Sequence, residues 1–292
     1  MKRDLIVGID IGGSHISAGI VDLSTKTFIE GTYLRKEIDP HGTADAIIHG
    51  WKSTILSLEG FGITVRRIAV AMPGPFDYKN GVSLIQSQDK FEALYGLNVK
   101  KLLAEALEIE ETDIHFKNDA ACFLQGEMYC GAGMGDKTAI GLTLGTGLGS
   151  ARYSNGLAED AALWSSPFRG AIAEEYISSR WFVRSYKEKT GKSIEDVKTL
   201  HSLARDCDIA KQLFVDFGDN LAAFLSLSFI DEQPDVVLLG GNIARASELF
   251  LPTLISKLKA REFIVPVKLA LLEEKGALIG AASGWETAES AY

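Results

Sequence analysis

GIDIGGSHISA, residues 8–18, aligns without gaps on GLTLGTGLGSA, residues 141–151. Each stretch is a short apolar run, then glycines, then a second run in which apolar and small residues alternate. Two strands joined by a tight glycine turn have this pattern. One such hairpin heads each half of a 292-residue chain, which predicts a duplicated lobe. The length suits two lobes, each with its own core.

Working outward from the first hairpin (5–10 and 15–21), residues 27–35 can supply a third strand and 44–58 have helical spacing. Residues 67–72 read as a buried strand stopped by Pro73, Gly74 and Pro75. An amphipathic helix over 98–107 and a short strand over 114–117 follow, and Asn118 and Asp119 stand where a new helix starts, running to about Cys130. Beyond the second hairpin the chain turns helical over 174–190, 194–204 and 209–230. A buried strand over 235–239 leads into Gly240, Gly241 and Asn242. A helix from Ser247, a strand near 267–272 and a closing helix from Lys275 finish the chain. No linker or low-complexity segment occurs, so two α/β lobes facing one another across a cleft are expected. Their predicted extents are 1–118, joined by the closing helix 275–292, and 119–274.

Apolar residues make up 46% and charged residues 24%, an ordinary globular balance. Thirty Lys and Arg against 39 Asp and Glu leave a net charge of −9. That argues against broad nucleic-acid or anionic-membrane binding and leaves room for a local basic pocket that takes a nucleotide. Cys122, Cys130 and Cys207 form no CxxC and have no close histidine partner. They read as reduced thiols of a cytoplasmic protein, not as a disulfide framework or a zinc cluster. The first predicted strand begins a few residues after Met1, where a signal peptide would need to be. No apolar run approaches the roughly 20 residues of a membrane span.

The glycine turns have two readings. Asp10, Gly12, Gly13 and Ser14 can present backbone N–H groups to phosphate oxygens, with a carboxylate close enough to hold Mg²⁺ through water. They can equally be a hairpin turn and nothing more. Gly145, Thr146 and Gly147 share both readings. They are not a Rossmann fingerprint, because a strand and not a helix follows, and no Walker A lysine is present. A nucleobase or ribose could pack on Gly240, Gly241 and Asn242, or these could be a plain strand-to-helix turn. Asp119 could cap its helix or take a proton from a substrate hydroxyl, the service phosphoryl transfer requires of a carboxylate. The five histidines lack metal-ligand spacing, and Trp181, Phe182 and Tyr186 fit the apolar face of a helix.

In order along the chain, DIGGS (10–14), MPGP (72–75), NDAAC (118–122), GTGLG (145–149) and LGGN (239–242) resemble the motifs of the ROK family of sugar kinases. The resemblance spans nearly the whole chain. It implies the duplicated actin-like, ribonuclease H-like ATPase fold and an ATP-dependent hexose kinase. It gives both hairpin turns to the ATP phosphates and Gly240, Gly241 and Asn242 to the adenosine side. It makes Asp119 the general base, with Asn118, Gly74 and Pro75 near the sugar, and it implies a homodimer.

One stretch departs from the family pattern. Many members carry a Glu-x-Gly-His sugar motif followed by a cysteine-rich zinc loop, yet residues 158–172 hold neither cysteine nor histidine. No structural zinc is therefore expected, and packing by Trp164, Pro167 and Phe168 would hold the loop instead. The family's Leu-Glu-x-Tyr-x-Ser piece survives over 173–178, which carries Glu174 over as a sugar-hydroxyl ligand. Glu159 or Asp160 would stand in for the missing glutamate. Gln88, Asp89 and Lys90 occupy the stretch where relatives place another sugar contact. Two rival readings are a sugar-sensing repressor, for which the chain shows no helix-turn-helix, and another enzyme of the same ATPase fold.

Overall fold

In the computed structural model, which describes residues 4–229 and 231–289, the chain divides into two compact units, Met1–Met134 with Glu274–Tyr292, and Gly135–Glu273. The expected ends of two helices, at residue 230 and over 290–292, lie outside the described residues, as does the start of the first expected domain.

In the first unit β1 (Leu5–Ile11) and β2 (His15–Asp22) form the expected antiparallel hairpin, closed by pairing of Ile11 with Ile16. The single strand expected over 27–35 is two pieces, β3 (Thr27–Phe28) and β4 (Leu34–Glu37), both paired with β2. Gly31, at φ 82°, breaks the run, a backbone state that glycine enters freely. Thr43 caps α1 (Ala44–Leu56), its side chain accepting from the Ala46 N–H at 3.3 Å. The helix buries Ile47, Ile48, Trp51 and Ile55. On the far side of β1 lies β5 (Ile68–Met72), parallel to it and buried at every position, as an uninterrupted apolar run requires of a strand covered on both faces. A two-strand ribbon follows, β6 (Phe76–Asp77) and β7 (Val82–Ser83), then α2 (Val99–Leu107) and β8 (Ile114–Asn118), parallel to β5. The sheet runs β3-β2-β1-β5-β8, and α3 (Asp119–Cys130) leaves its last strand.

The second unit repeats this plan. β9 (Ala139–Leu144) and β10 (Leu148–Ser154) are the second glycine hairpin, and β11 (Leu157–Asp160) pairs antiparallel with β10. A short ribbon, β12 (Pro167–Phe168) and β13 (Ala171–Ile172), precedes α4 (Ser179–Thr190), α5 (Val197–Leu203) and α6 (Asp208–Ser228). β14 (Val236–Gly240) pairs parallel with β9, and after α7 (Ser247–Ala260) β15 (Val267–Leu269) pairs parallel with β14. The order β11-β10-β9-β14-β15 reproduces the first sheet: an antiparallel meander continued by two parallel strands. Trp181, Phe182 and Tyr186 are core residues, with Phe182 ring centroids 4.9 Å from Phe214 and 4.8 Å from Phe217. The loop expected to be packed by three side chains uses one. Phe168 is buried against Tyr176 and Phe224, whereas Trp164 and Pro167 are exposed.

The closing helix α8 (Lys275–Glu289) returns to the first unit. A Cβ at Gly8 would stand 2.5 Å from the Leu278 carbonyl oxygen, so α8 lies directly on β1. A Cβ at Gly280 would overlap the Cys122 carbonyl, and one at Gly126 the Gly276 carbonyl. Glycines thus let α3 and α8 meet backbone to backbone, which binds α3 into the first unit. The structure divides after Met134, not at the expected position after Asn118.

Candidate active site

In the first unit, three parallel strands bring the expected residues to one edge of the sheet. Asp10 on β1 is in register with Ala71 on β5, and Met72 is in register with Asn118 on β8. Asp10, the loop through Gly74 and Pro75, and the Asn118–Asp119 pair therefore all leave the carboxyl ends of neighbouring strands, where open α/β sheets bind their ligands.

Asn118 is the cap of α3. Its Oδ1 accepts from the Ala121 N–H at 3.0 Å, and its Nδ2 donates to the Tyr78 hydroxyl at 3.2 Å. Tyr78 in turn donates to the Met72 carbonyl at 3.1 Å, so a buried Asn118 ties the Pro73–Pro75 loop to the start of α3. The Gly74–Pro75 peptide is cis. Because Asn118 caps the helix, Asp119 is released from that role and occupies the first helical position, partly exposed, with Oδ1 accepting from the Ala120 N–H at 2.9 Å.

The two carboxylates feel one another. Asp10 is pushed up to about 7, first by loss of solvent and next by the negative charge of Asp119; the Arg35 guanidinium opposes this, and Glu274 adds to it. A cavity of about 220 Å³ opens beside Asp10, lined by Gly12, Gly13, Ser14, His15, Ser17 and Arg35. The Gly12 N–H donates to the His15 carbonyl at 2.8 Å and closes the turn. Gly13 and Ser14 stand exposed at its tip.

The second unit assembles a separate group. Gly145 N–H donates to the Gly147 carbonyl at 3.1 Å, and the Gly145 carbonyl accepts from the Ser179 N–H at 2.8 Å, fixing the start of α4 to this turn. Glu174 is built into the same turn: its Oε2 accepts from the Leu148 N–H at 2.9 Å, and its Oε1 pairs with Arg180. A Cβ at Gly147 would stand 2.5 Å from Glu174 Oε2. Gly240 is in register with Thr143, which brings the Gly240–Gly241 turn beside the hairpin turn. Gly241 has φ 86°, and a Cβ there would overlap the Leu144 backbone, so the fold itself demands this glycine. Gly145 is different. It has an ordinary φ, and a Cβ would find nothing within 4 Å. Among the described residues no neighbour requires a bare backbone at Gly145.

Thr146 and Asn242 are exposed, at the hairpin tip and at the start of the turn Asn242–Ala246. Glu159 is exposed on the edge strand β11, opposite Arg152, and makes no part of the Glu174 cluster described above. Its neighbour Asp160, also exposed, accepts from the Ala162 N–H at 2.8 Å. Tyr33, Arg35 and Glu274 were not anticipated. They belong to no motif; strand pairing brings Arg35 to Asp10, and Tyr33, just ahead of β4, meets Ser17 instead. Among the described residues no group of three or more His, Cys, Asp or Glu side chains could hold a metal ion. No helix there is long and apolar enough to cross a membrane.

Two five-stranded paths of identical order, each headed by a glycine hairpin, define a duplicated ATPase-type α/β fold. The model of the ROK family matches residues 6–160 and 165–288, and the chain belongs to that family. The gap in the match falls inside the stretch 158–172, where zinc-loop residues are missing. The chain is 26% identical to the glucokinase of Thermotoga maritima, covering 97% of this chain and 98% of that one. It is 22% identical to the N-acetyl-D-glucosamine kinase of Pectobacterium carotovorum subsp. carotovorum, over 84% and 87% respectively. Among solved structures it resembles a ROK glucokinase from Streptomyces griseus in complex with glucose and AMPPNP, at TM-score 0.79 and 22% identity, covering 96% of this chain and 98% of that one.

Proposed function

We propose that this chain is an ATP-dependent hexose kinase that moves the γ-phosphoryl of MgATP onto a sugar hydroxyl, the 6-hydroxyl of glucose or of an N-acetylhexosamine. The observation that carries the reading is the meeting of Asp10 and Asp119 at the carboxyl edge of the first sheet, beside an exposed glycine turn. Asp119 is the general base. As the sugar oxygen bonds to the γ-phosphorus, its proton passes to the Asp119 carboxylate, and the bond from phosphorus to the β,γ-bridging oxygen breaks with its electrons leaving on ADP. Asn118, with Gly74 and Pro75, fixes where that carboxylate and the sugar stand. Gly12, Gly13, Ser14, Gly145, Thr146 and Gly147 give backbone and hydroxyl donors to phosphate oxygens. Gly240, Gly241 and Asn242 face the adenosine. Glu174 remains the proposed sugar ligand of the second unit, and the exposure of Glu159 argues for a peripheral place at most.

Asp10 suits a magnesium ion. A carboxylate short of solvent and beside a like charge gains more than an ordinary one from a divalent cation, which it would hold through water. When bound, Mg²⁺ neutralises charge on the phosphates. With this reading go a homodimer, measurable by light scattering, and a place in the cytoplasm.

ADP release, followed across hexoses, N-acetylhexosamines and a sugar-free blank, tests the reading. Sugar-dependent turnover is expected, and sugar-independent hydrolysis alone would refute it. In the same assay Asp119→Asn should lower kcat by roughly 10²–10⁴-fold and leave both KM values close to wild type. Wild-type turnover in that variant would strip Asp119 of the base role.

A further inference from the structure

The strand registers set three side chains in one row. Asp10 on β1 pairs with Ser17 on β2, and Ser17 pairs with Arg35 on β4. Directly paired residues share a face of the sheet, and all three line the cavity beside the glycine turn. Arg35 does not hang loose there. One of its guanidinium nitrogens lies 2.8 Å from Glu274 Oε2, and the Tyr33 hydroxyl donates to the same oxygen at 2.6 Å and meets Ser17 Oγ at 3.2 Å.

We infer that Arg35 is the cation that receives the phosphoryl group in this cavity, and that Glu274 is its resting counter-ion, which phosphate displaces. The identity of the phosphate rests on the kinase reading; the anion site does not. A phosphoryl group arriving at Gly13 and Ser14 comes close to the Asp10 carboxylate, so it needs a positive partner. Arg35 is the arginine that lines the cavity, in the row with Asp10, whereas the Lys90 side chain stands outside it against Gly13. A guanidinium presents several donors in a planar fork. Its five N–H donors outnumber the acceptors that Glu274 and Tyr33 present to it, so phosphate oxygens can be met as well. The Arg35–Glu274 pair is 43% and 45% exposed, and a pair so open to water is held weakly. A phosphate carrying more charge than one carboxylate can therefore take the guanidinium over at small cost. Tyr33 keeps the carboxylate in place, so that Arg35 has a fixed position to return to.

Calorimetric titration of the full chain with sodium tripolyphosphate in Mg²⁺ buffer reads this site without nucleoside or sugar. Arg35→Gln should weaken binding roughly 10- to 100-fold, the loss expected of a charge-assisted contact. It should raise KM for ATP in step and leave KM for the sugar within about twofold. Arg35→Lys, which keeps the charge and loses the fork, should fall between the two. Glu274→Gln should tighten tripolyphosphate binding several-fold. A folded Arg35→Gln protein that binds tripolyphosphate within about twofold of wild type overturns the assignment. If Arg35→Gln fails to fold, unchanged binding by Arg35→Lys does so instead. Unchanged or weaker binding by Glu274→Gln removes the counter-ion role. Loss of binding in Arg35→Gln from a chain that never shows sugar-dependent ADP release would keep the anion site and sink the kinase reading alone.

Discussion

At the scale of single residues, Asp10 carries a pH signature. The carboxyl titrates near 3.8 when unperturbed and near 7 in the folded chain. Between those values the folded state keeps a proton that the unfolded chain has released. Stability from this group is therefore complete below about pH 4 and lost as pH rises through about 7. Asp10→Asn should melt several °C above wild type at pH 8 and level with it at pH 4, while activity collapses; an equal shift at both pH values would mean that the charge is not the cause. Stability surrendered at a working carboxylate is a common trade. Asp119 shows what the sequence could and could not tell. Asp at a helix start is more commonly a cap than a base, and only the backbone reveals that Asn118, one residue earlier, does the capping. Arg35 was illegible for a different reason. Its neighbours in the chain say nothing of Asp10, and the row from Asp10 through Ser17 to Arg35 exists only once three strands have paired.

At the scale of elements, glycines that look alike in the sequence serve opposite ends. Gly280 sits where a methyl group would enter the Cys122 carbonyl, whereas Gly145 faces open space. Gly280→Ala should cost about 1–3 kcal/mol of stability, as overpacking does, seen as a lower Tm. Gly145→Ala should leave the melt unchanged and raise KM for ATP several-fold. A destabilised Gly145→Ala protein would return that turn to a purely structural role. Elements with strong periodicity or unbroken apolar runs were legible: β5 was expected over 67–72 and spans Ile68–Met72, and α2 was expected over 98–107 and spans Val99–Leu107. β11 was missed because three of its four residues are exposed, which leaves no alternation to read. The helix expected from residue 174 begins at Ser179, after a separate turn that holds Glu174 against Leu148.

At the scale of the whole molecule, the duplication was legible from two eleven-residue stretches, because the hairpin and its glycine turn begin both sheets. The domain boundary was not, because it depends on glycine contacts between α3 and α8 that lie far apart in the chain. The altered stretch 158–172 leads to a prediction about metal content. A structural zinc takes four Cys or His ligands grouped in close pairs, and this stretch offers none. Elemental analysis should find no stoichiometric zinc, and chelated enzyme should recover with Mg²⁺ alone; recovery only with zinc would contradict this. Finally, the return of α8 sets a timetable for synthesis. A ribosome delivers the chain from its amino end at roughly 5–20 residues per second. β1 and α3 wait for α8 to cover them, while everything the second unit needs has already been made. The middle of the chain is thus ready to fold before its beginning is. A nascent chain stalled short of Lys275 should leave open to solvent the faces of β1 and β5 that α8 covers.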